Sequence, residues 1–309
     1  MSGAIVFVLT PGALLLDYAG PAESLRMAGE MGADLTIAAC GPSPSVEVST
    51  GLSLGDLAPL PDHLPDGARV VVVGNAKEER DYARAEAARV VDWLAALPLG
   101  RVRVASICSG AILLARAGLL RGRACTTHHN LLGMLRAADP TARVLDDRIF
   151  VEDGPVLTSA GVTTGIDLAL YLIERDHGAE LAMAVARRMV VFARRGPADP
   201  QLSPWLAHRN HVHPAVHAVQ DAISRDPVRR WSMTELAALA HVSPRHLARL
   251  FKRHAGLNVP DYHQGLRLAR ARLLMADPRR SMEQVAEGAG FASARDLRRV
   301  RARHTRAGA

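Results

Sequence analysis

The chain has 309 residues, with 38 Lys and Arg against 31 Asp and Glu, a net charge of +7 and three cysteines. That length predicts about two domains, each large enough for its own core. Every apolar run is shorter than the roughly 18 residues a membrane span needs, and no CxxC pair occurs, so a transmembrane chain and a disulfide-stapled one are both excluded. The first residues lack the basic start, apolar middle and cleavage site of a signal peptide, so the expectation is a cytoplasmic protein with reduced cysteines. The charge is unevenly placed. From Leu206 onward there are 19 Lys and Arg against 8 Asp and Glu, whereas the preceding part holds 19 against 23. A mildly acidic region therefore precedes a strongly basic one, and a basic block of that size predicts a polyanionic partner, most often nucleic acid.

In chain order, residues 4–9 (Ala-Ile-Val-Phe-Val-Leu) form a short apolar run closed by Thr-Pro-Gly, the pattern of a buried strand. Asp17-Tyr-Ala-Gly-Pro21 leads into a helix over 23–29, and residues 35–39 and 69–74 are further strands. Residues 78–97 have helical spacing, with Ala83, Ala87, Val90, Val91 and Leu94 on one face. The β-branched run over 102–107 then stops abruptly at Cys108-Ser109-Gly110, and an apolar helical pattern follows at once. Alternating strands and helices with continuously apolar strands predict an α/β domain with a parallel sheet covered on both faces. Binding sites in such sheets lie beyond the carboxyl ends of the strands, where Cys108 and Asp17 both fall.

A strand that feeds straight into a helix through Cys-Ser-Gly has the form of a nucleophile elbow. A helix N-terminus there would lower the thiol pKa and favour thiolate. The same stretch fits a buried, inert cysteine equally well. Beyond it come Cys125-Thr-Thr-His128-His129, a strand over 142–145, and a hairpin of 149–151 and 156–159 turning at Asp153-Gly154. Gly161-Val-Thr-Thr-Gly165 caps a helix over 166–175, and another runs over 179–192. Residues 194–204, with one Gly and three Pro, break all periodicity and read as a linker. The predicted domains are 1–193, a linker over 194–208, and 209–309.

The basic part contains an internal repeat. The stretch Thr234-Glu-Leu-Ala-Ala-Leu-Ala-His-Val-Ser243-Pro-Arg-His-Leu247-Ala-Arg249 aligns with Glu283-Gln-Val-Ala-Glu-Gly-Ala-Gly-Phe-Ala-Ser293-Ala-Arg-Asp-Leu297-Arg-Arg299, at an offset of 49 residues before the turn and 50 after it. Each copy reads as a short helix, a tight turn, a Ser cap and a second helix, which is a helix-turn-helix. Leu247, Leu250 and Phe251 share one face of the first copy's second helix. The opposite face presents Arg245, Arg249 and Lys252, and the second copy presents Arg295 and Arg299. Such side chains reach guanine edges or phosphates from a major groove, so these five are the candidate DNA contacts, and two units in one chain fit successive grooves.

Gly290-Phe-Ala-Ser293 within the two-unit layout resembles the AraC family DNA-binding domain. Asp17-Tyr-Ala-Gly-Pro21, Cys108-Ser-Gly-Ala, Leu119-Leu-Arg-Gly-Arg-Ala-Cys-Thr-Thr-His128 and Thr158-Ser-Ala-Gly-Val-Thr-Thr-Gly165 resemble the PfpI-like (class I glutamine amidotransferase-like) fold. Together, in this order, they are similar to the GlxA-type transcriptional regulators. The resemblance implies a flavodoxin-like PfpI domain and an effector pocket lined by Asp17, Cys108, Ser109 and His128, with amino acids or quaternary amines as effector classes. It also implies DNA, a small molecule, a second copy of the chain and RNA polymerase as partners, with no metal or cofactor. The alternative it leaves is a cysteine-dependent hydrolase or hydratase with a helical appendage. At Asp17 and Cys108 one group of the pair must be protonated or hydrogen-bonded, and a proton on the carboxyl is one arrangement that would stabilise thiolate.

Two departures stand out. His129 occupies a position where Trp is common, which removes an aromatic wall that a quaternary amine would want. In the second helix-turn-helix Arg301 stands where the first copy has Phe251, and Arg306 where it has Gly256. A charge at a core position is costly, so the second unit is predicted to be the less stable.

Overall fold

The computed structural model describes residues 3–307 apart from 193, 198, 276 and 278, with side chains described up to 303. The chain divides into two compact units, Met1–Gln201 and Leu202–Ala309.

In the first unit, seven strands of the described residues form one sheet. From edge to edge they are Phe150–Asp153, Val156–Ser159, Arg103–Ile107, Arg69–Val72, Gly3–Val8, Leu35–Gly41 and Ala58–Pro59. All neighbours are parallel except the edge pair, where Phe150 opposes Ser159 in an antiparallel hairpin. The apolar runs are continuous because both faces are covered. Successive side chains of a strand point to opposite faces, so Ile5, Phe7, Val71 and Ile107 enter one core while Val6, Val8, Val70 and Val104 enter the other. The first core is closed by Leu15–Glu30, Thr164–His177 and Ala179–Arg188, and the second by Ala85–Ala95 and Gly110–Arg116.

Two helices differ from the sequence reading. The first begins at Leu15 and carries Pro21 inside it, which puts Asp17 in its first turn rather than in a preceding loop. The stretch over 78–97 is broken into Glu78–Asp81 and Ala85–Ala95, because Tyr82 turns into the second core and ends the first piece.

The second unit is helical. Met233–Leu239 and Pro244–Ala255 form one helix-turn-helix, and Met282–Gly288 and Ala294–Ala307 the other. The capping chemistry is duplicated with the sequence. Ser232 and Glu235 make a reciprocal capping box, as do Ser281 and Gln284. Each turn has a left-handed residue, His241 in one and Gly290 in the other, followed by an amide that returns to the helix (Val242 to Ala237 O, Phe291 to Ala286 O). Ser243 and Ser293 then cap the second helices by accepting the amides of His246 and Asp296.

Helix Val259–Met275 joins the two units of the repeat. Its Val259, Tyr262 and Leu266 pack with Leu247 and Phe251, and its Leu268 and Ala271 pack with Val285, Phe291 and Leu297. Arg301 corrects the core expectation. It is exposed, and among the described residues that helix gives Leu297 and Val300 to the second core. The Arg306 side chain lies outside the described residues.

Candidate functional site

Cys108 follows the central strand Arg103–Ile107 and precedes helix Gly110–Arg116. Its φ of 55° is left-handed, a conformation that costs a non-glycine residue on the order of 1–3 kcal/mol and marks the elbow. The turn is over-determined. Cys108 N–H donates to Ser159 O at 3.0 Å, and Thr127 Oγ1 donates to Cys108 O at 2.7 Å. Backbone crowds in from two more sides. A Cβ on Gly161 would lie 2.1 Å from Cys108 Cβ, and one on Gly74 would lie 2.8 Å from Cys108 Cβ and 2.7 Å from Asp17 Oδ2. These two glycines let the chain close around the thiol and the carboxyl.

Asp17 is fully buried. Its Oδ1 accepts the Val162 amide at 2.6 Å. Val162 itself has a left-handed φ of 52°, which turns that amide inward. Oδ2 closes no well-formed hydrogen bond, and the Cys108 side chain lies next to it. Burial raises the Asp17 pKa from 3.8 to about 6, against the lowering effect of the Val162 amide and the Cys108 contact, with the Glu78 charge adding to the rise.

Of the two readings of Cys108, the thiol follows the buried, inert one and departs from the thiolate. Burial first, and the Asp17 charge second, push the Cys108 pKa well above the ordinary thiol range, and the Ser109 amide only partly offsets them. Desolvation outweighs the helix terminus, so Cys108 is a thiol and not a thiolate near neutral pH.

Ser109 faces the other way. Its Oγ accepts the Asn75 amide at 2.7 Å and lies 2.9 Å from Tyr82 Oη and 3.2 Å from Asn75 O. Asn75 is held in turn by Thr10 Oγ1 and Pro11 O, and Arg116 donates to Tyr82 O. Ser109 therefore pins the elbow from inside. His128 is half-buried and follows Thr127. Its Nδ1 accepts the Asn130 amide at 3.4 Å, its ring stacks on His129 at 4.3 Å, and burial and His129 lower its pKa. Asp17 and Cys108 are thus brought together, whereas the Ser109 side chain, expected in the pocket, turns away to Asn75 and Tyr82, and His128 lies one residue from a group bonded to Cys108. The sequence reading missed Val162, Thr127, Gly161 and Glu78. Gly161-Val-Thr-Thr-Gly165 carried the signal for two of them, but it served as a helix cap and a mark of the fold, with no site role given to its residues.

In the second unit all five predicted contact residues, Arg245, Arg249, Lys252, Arg295 and Arg299, are exposed. They are not equally placed. Arg249 donates to His246 Nδ1 at 3.0 Å, and Lys252 Nζ donates to Gly256 O at the end of its own helix. Arg299 pairs with Asp296 at 2.6 Å on the same helix, which partly neutralises that face.

An α/β domain with a buried elbow cysteine, joined to a tandem helix-turn-helix bearing exposed arginines, defines a DNA-binding protein with an added α/β domain. Comparison with known proteins agrees. Residues 4–175 match the DJ-1/PfpI family, and residues 236–307 match a helix-turn-helix domain. The HTH-type transcriptional regulator CdhR of Pseudomonas aeruginosa is 32% identical over 297 residues, covering 95% of this chain and 86% of its own. The HTH-type transcriptional regulator GlxA of Rhizobium meliloti is 32% identical over 292 residues, covering 94% and 89%. Isonitrile hydratase of Pseudomonas putida is 32% identical over 195 residues, covering 60% of this chain and 77% of its own. Among solved structures, a ThiJ/PfpI family protein from Pseudomonas syringae superimposes with a TM-score of 0.56 at 20% identity, covering 78% and 91%, a likeness of fold. The chain belongs to the DJ-1/PfpI family, and its nearly full-length relatives carry the same C-terminal helix-turn-helix domain. Among the described residues no helix is long and apolar enough to cross a membrane.

Proposed function

We propose that this DNA-binding regulator responds to a small molecule held over Asp17 and Cys108, with His128 at the rim, and that it acts as a homodimer. The observation that carries DNA recognition is the duplicated unit. Two capped helices, each on its own core, present Arg245, Arg249 and Lys252 in one case and Arg295 and Arg299 in the other. Arginine on the outward face of such a helix reads guanine or clamps phosphate. The observation that supports ligand sensing is the pairing of the buried Asp17 carboxyl with the Cys108 thiol at the elbow, beyond the carboxyl ends of the parallel strands where such sheets bind ligands.

A hydratase reading rests on the isonitrile hydratase relative and would require Cys108 as a nucleophile. A thiol held protonated by burial and by Asp17 supports sensing over that chemistry. Footprinting of the DNA upstream of the protein's own gene tests the regulator. Two protected stretches about one helical turn apart are expected. Uniform protection at every concentration would speak against sequence-specific binding.

A further inference from the structure

One stretch of the first unit is tied at both ends to the groups that form the Asp17 and Cys108 site. At its start, the Arg195 backbone amide donates to Asp167 Oδ1 at 3.0 Å, and its guanidinium donates to Asp167 Oδ2 at 2.9 and 2.6 Å and to Thr163 Oγ1 at 2.9 Å. Asp167 is buried and Arg195 partly exposed, so this is a charge-assisted anchor only partly shielded from water. Thr163 directly follows Val162, whose amide is held by Asp17.

At the other end, Gln201 N–H donates to Asp147 Oδ1 at 2.9 Å. Its Nε2 donates to Thr127 O at 2.9 Å and to Arg148 O at 3.1 Å. Thr127 is the residue whose hydroxyl holds Cys108 O. Both anchors thus lie one residue or one hydrogen bond from the site, and the residue after Gln201 is Leu202, the first of the second unit.

We propose that the stretch pinned by Arg195 and Gln201 is a latch through which occupancy of the Asp17 and Cys108 site is passed to the chain entering the DNA-binding unit. The inference rests on the reading of that site as a ligand site. A ligand that engages Asp17 or Cys108 displaces Val162 and Thr127, which loosens Arg195 and Gln201 together. The physical warrant is that hydrogen bonds linked through adjacent residues join the site to both ends of the stretch; their release is the second arrangement that the proposal adds.

Hydrogen exchange on the full chain tests this without knowledge of the effector. Asp17→Ala removes the acceptor of the Val162 amide and stands in for a perturbed site. The latch predicts that the Val162, Arg195 and Gln201 amides all exchange about tenfold faster, while the sheet amides of Leu35–Gly41 keep their protection. Faster exchange at Val162 with unchanged Arg195 and Gln201 would overturn it. Should Asp17→Ala lose the sheet protection, Thr127→Val decides. Faster exchange at Gln201 supports the latch, and unchanged exchange there refutes it. DNA binding by the wild type is scored separately, so failure of the regulator reading would leave the exchange result standing.

Discussion

The Asp17 carboxylate accepts the Val162 amide at 2.6 Å across 145 residues of sequence, while its second oxygen lies beside the Cys108 thiol. One oxygen fixes the carboxyl and the other couples it to the thiol. The fixed half explains why helix Leu15–Glu30 and the turn before Thr164–His177 must meet, and the coupled half sets the protonation of the pair.

The raised pKa of Asp17 has a defined effect on stability. The folded-state value of about 6 exceeds the ordinary 3.8, so the protonated carboxyl is the form that the fold favours. Its contribution is fully present below pH ~4 and is lost as pH rises through ~6, a difference on the order of 3 kcal/mol. Asp17→Asn should therefore flatten the stability profile between pH ~4 and ~6 and leave the variant more stable than the wild type at pH 7. Urea unfolding across that range measures it. Parallel profiles for the two proteins would show that Asp17 titrates normally.

A thiol held protonated should react slowly. Cys108 is expected to resist iodoacetamide at pH 7, and removal of the neighbouring charge in Asp17→Ala should speed its alkylation, since that charge is the second cause of the shift. Peptide mass spectrometry over a pH series reads this directly. A midpoint below pH ~8 would mean that the helix terminus, rather than burial, governs the thiol.

Gly161 tolerates no side chain. Its φ is +87°, and a Cβ there would lie 2.1 Å from Cys108 Cβ. Gly161→Ala combines backbone strain with overpacking and should cost about 3 kcal/mol or more. A thermal transition unchanged from the wild type would show that the elbow is looser than these contacts require.

How much of this was legible beforehand varies with the kind of signal. Continuous apolar strands such as residues 69–74 and the abrupt Cys108-Ser109-Gly110 revealed the sheet and the elbow, because burial on both faces leaves an unmistakable pattern. The tandem helix-turn-helix was equally clear, since the Ser caps and hydrophobic spacing are local and repeat. The protonation of Cys108 was not legible, because desolvation depends on what packs over the turn, and Gly74 and Gly161 come from distant segments. Arg301 misled for a related reason. Its counterpart Phe251 lies in a core that helix Pro214–Arg225 also enters, through Val216, Val219 and Ile223, and the second copy's core has no such helix among the described residues.

Among the described residues the second core is the smaller, which predicts unequal stability of the two recognition helices. Phe251 and Leu247 sit in a core that takes in Val216, Val219 and Ile223 as well as Tyr262 and Leu266, whereas Leu297 packs with Val285, Phe291, Leu268 and Ala271. Amides of Ala294–Ala307 should exchange faster than those of Pro244–Ala255, and Leu297→Ala should cost about 2–5 kcal/mol of local stability. Equal protection of the two helices would contradict this.

The Arg299–Asp296 pair predicts an unusual gain. Asp296→Ala releases the guanidinium for phosphate and removes a like charge from the DNA-facing helix. Affinity should rise on specific and random DNA alike, with a salt slope steeper by about one contact. Arg249→Ala should instead cost about 1–3 kcal/mol, concentrated on the cognate sequence if Arg249 reads a base. Competition titrations with base-substituted duplexes separate these effects.

The most direct test of the central claim is fluorescence-anisotropy binding of the full chain to the DNA upstream of its own gene, against a scrambled duplex, over a salt series. The account predicts binding to the upstream DNA that is at least about a thousandfold tighter than to the scrambled duplex, with affinity falling steeply as salt rises. Equal, weak binding to both duplexes at every salt concentration would contradict it.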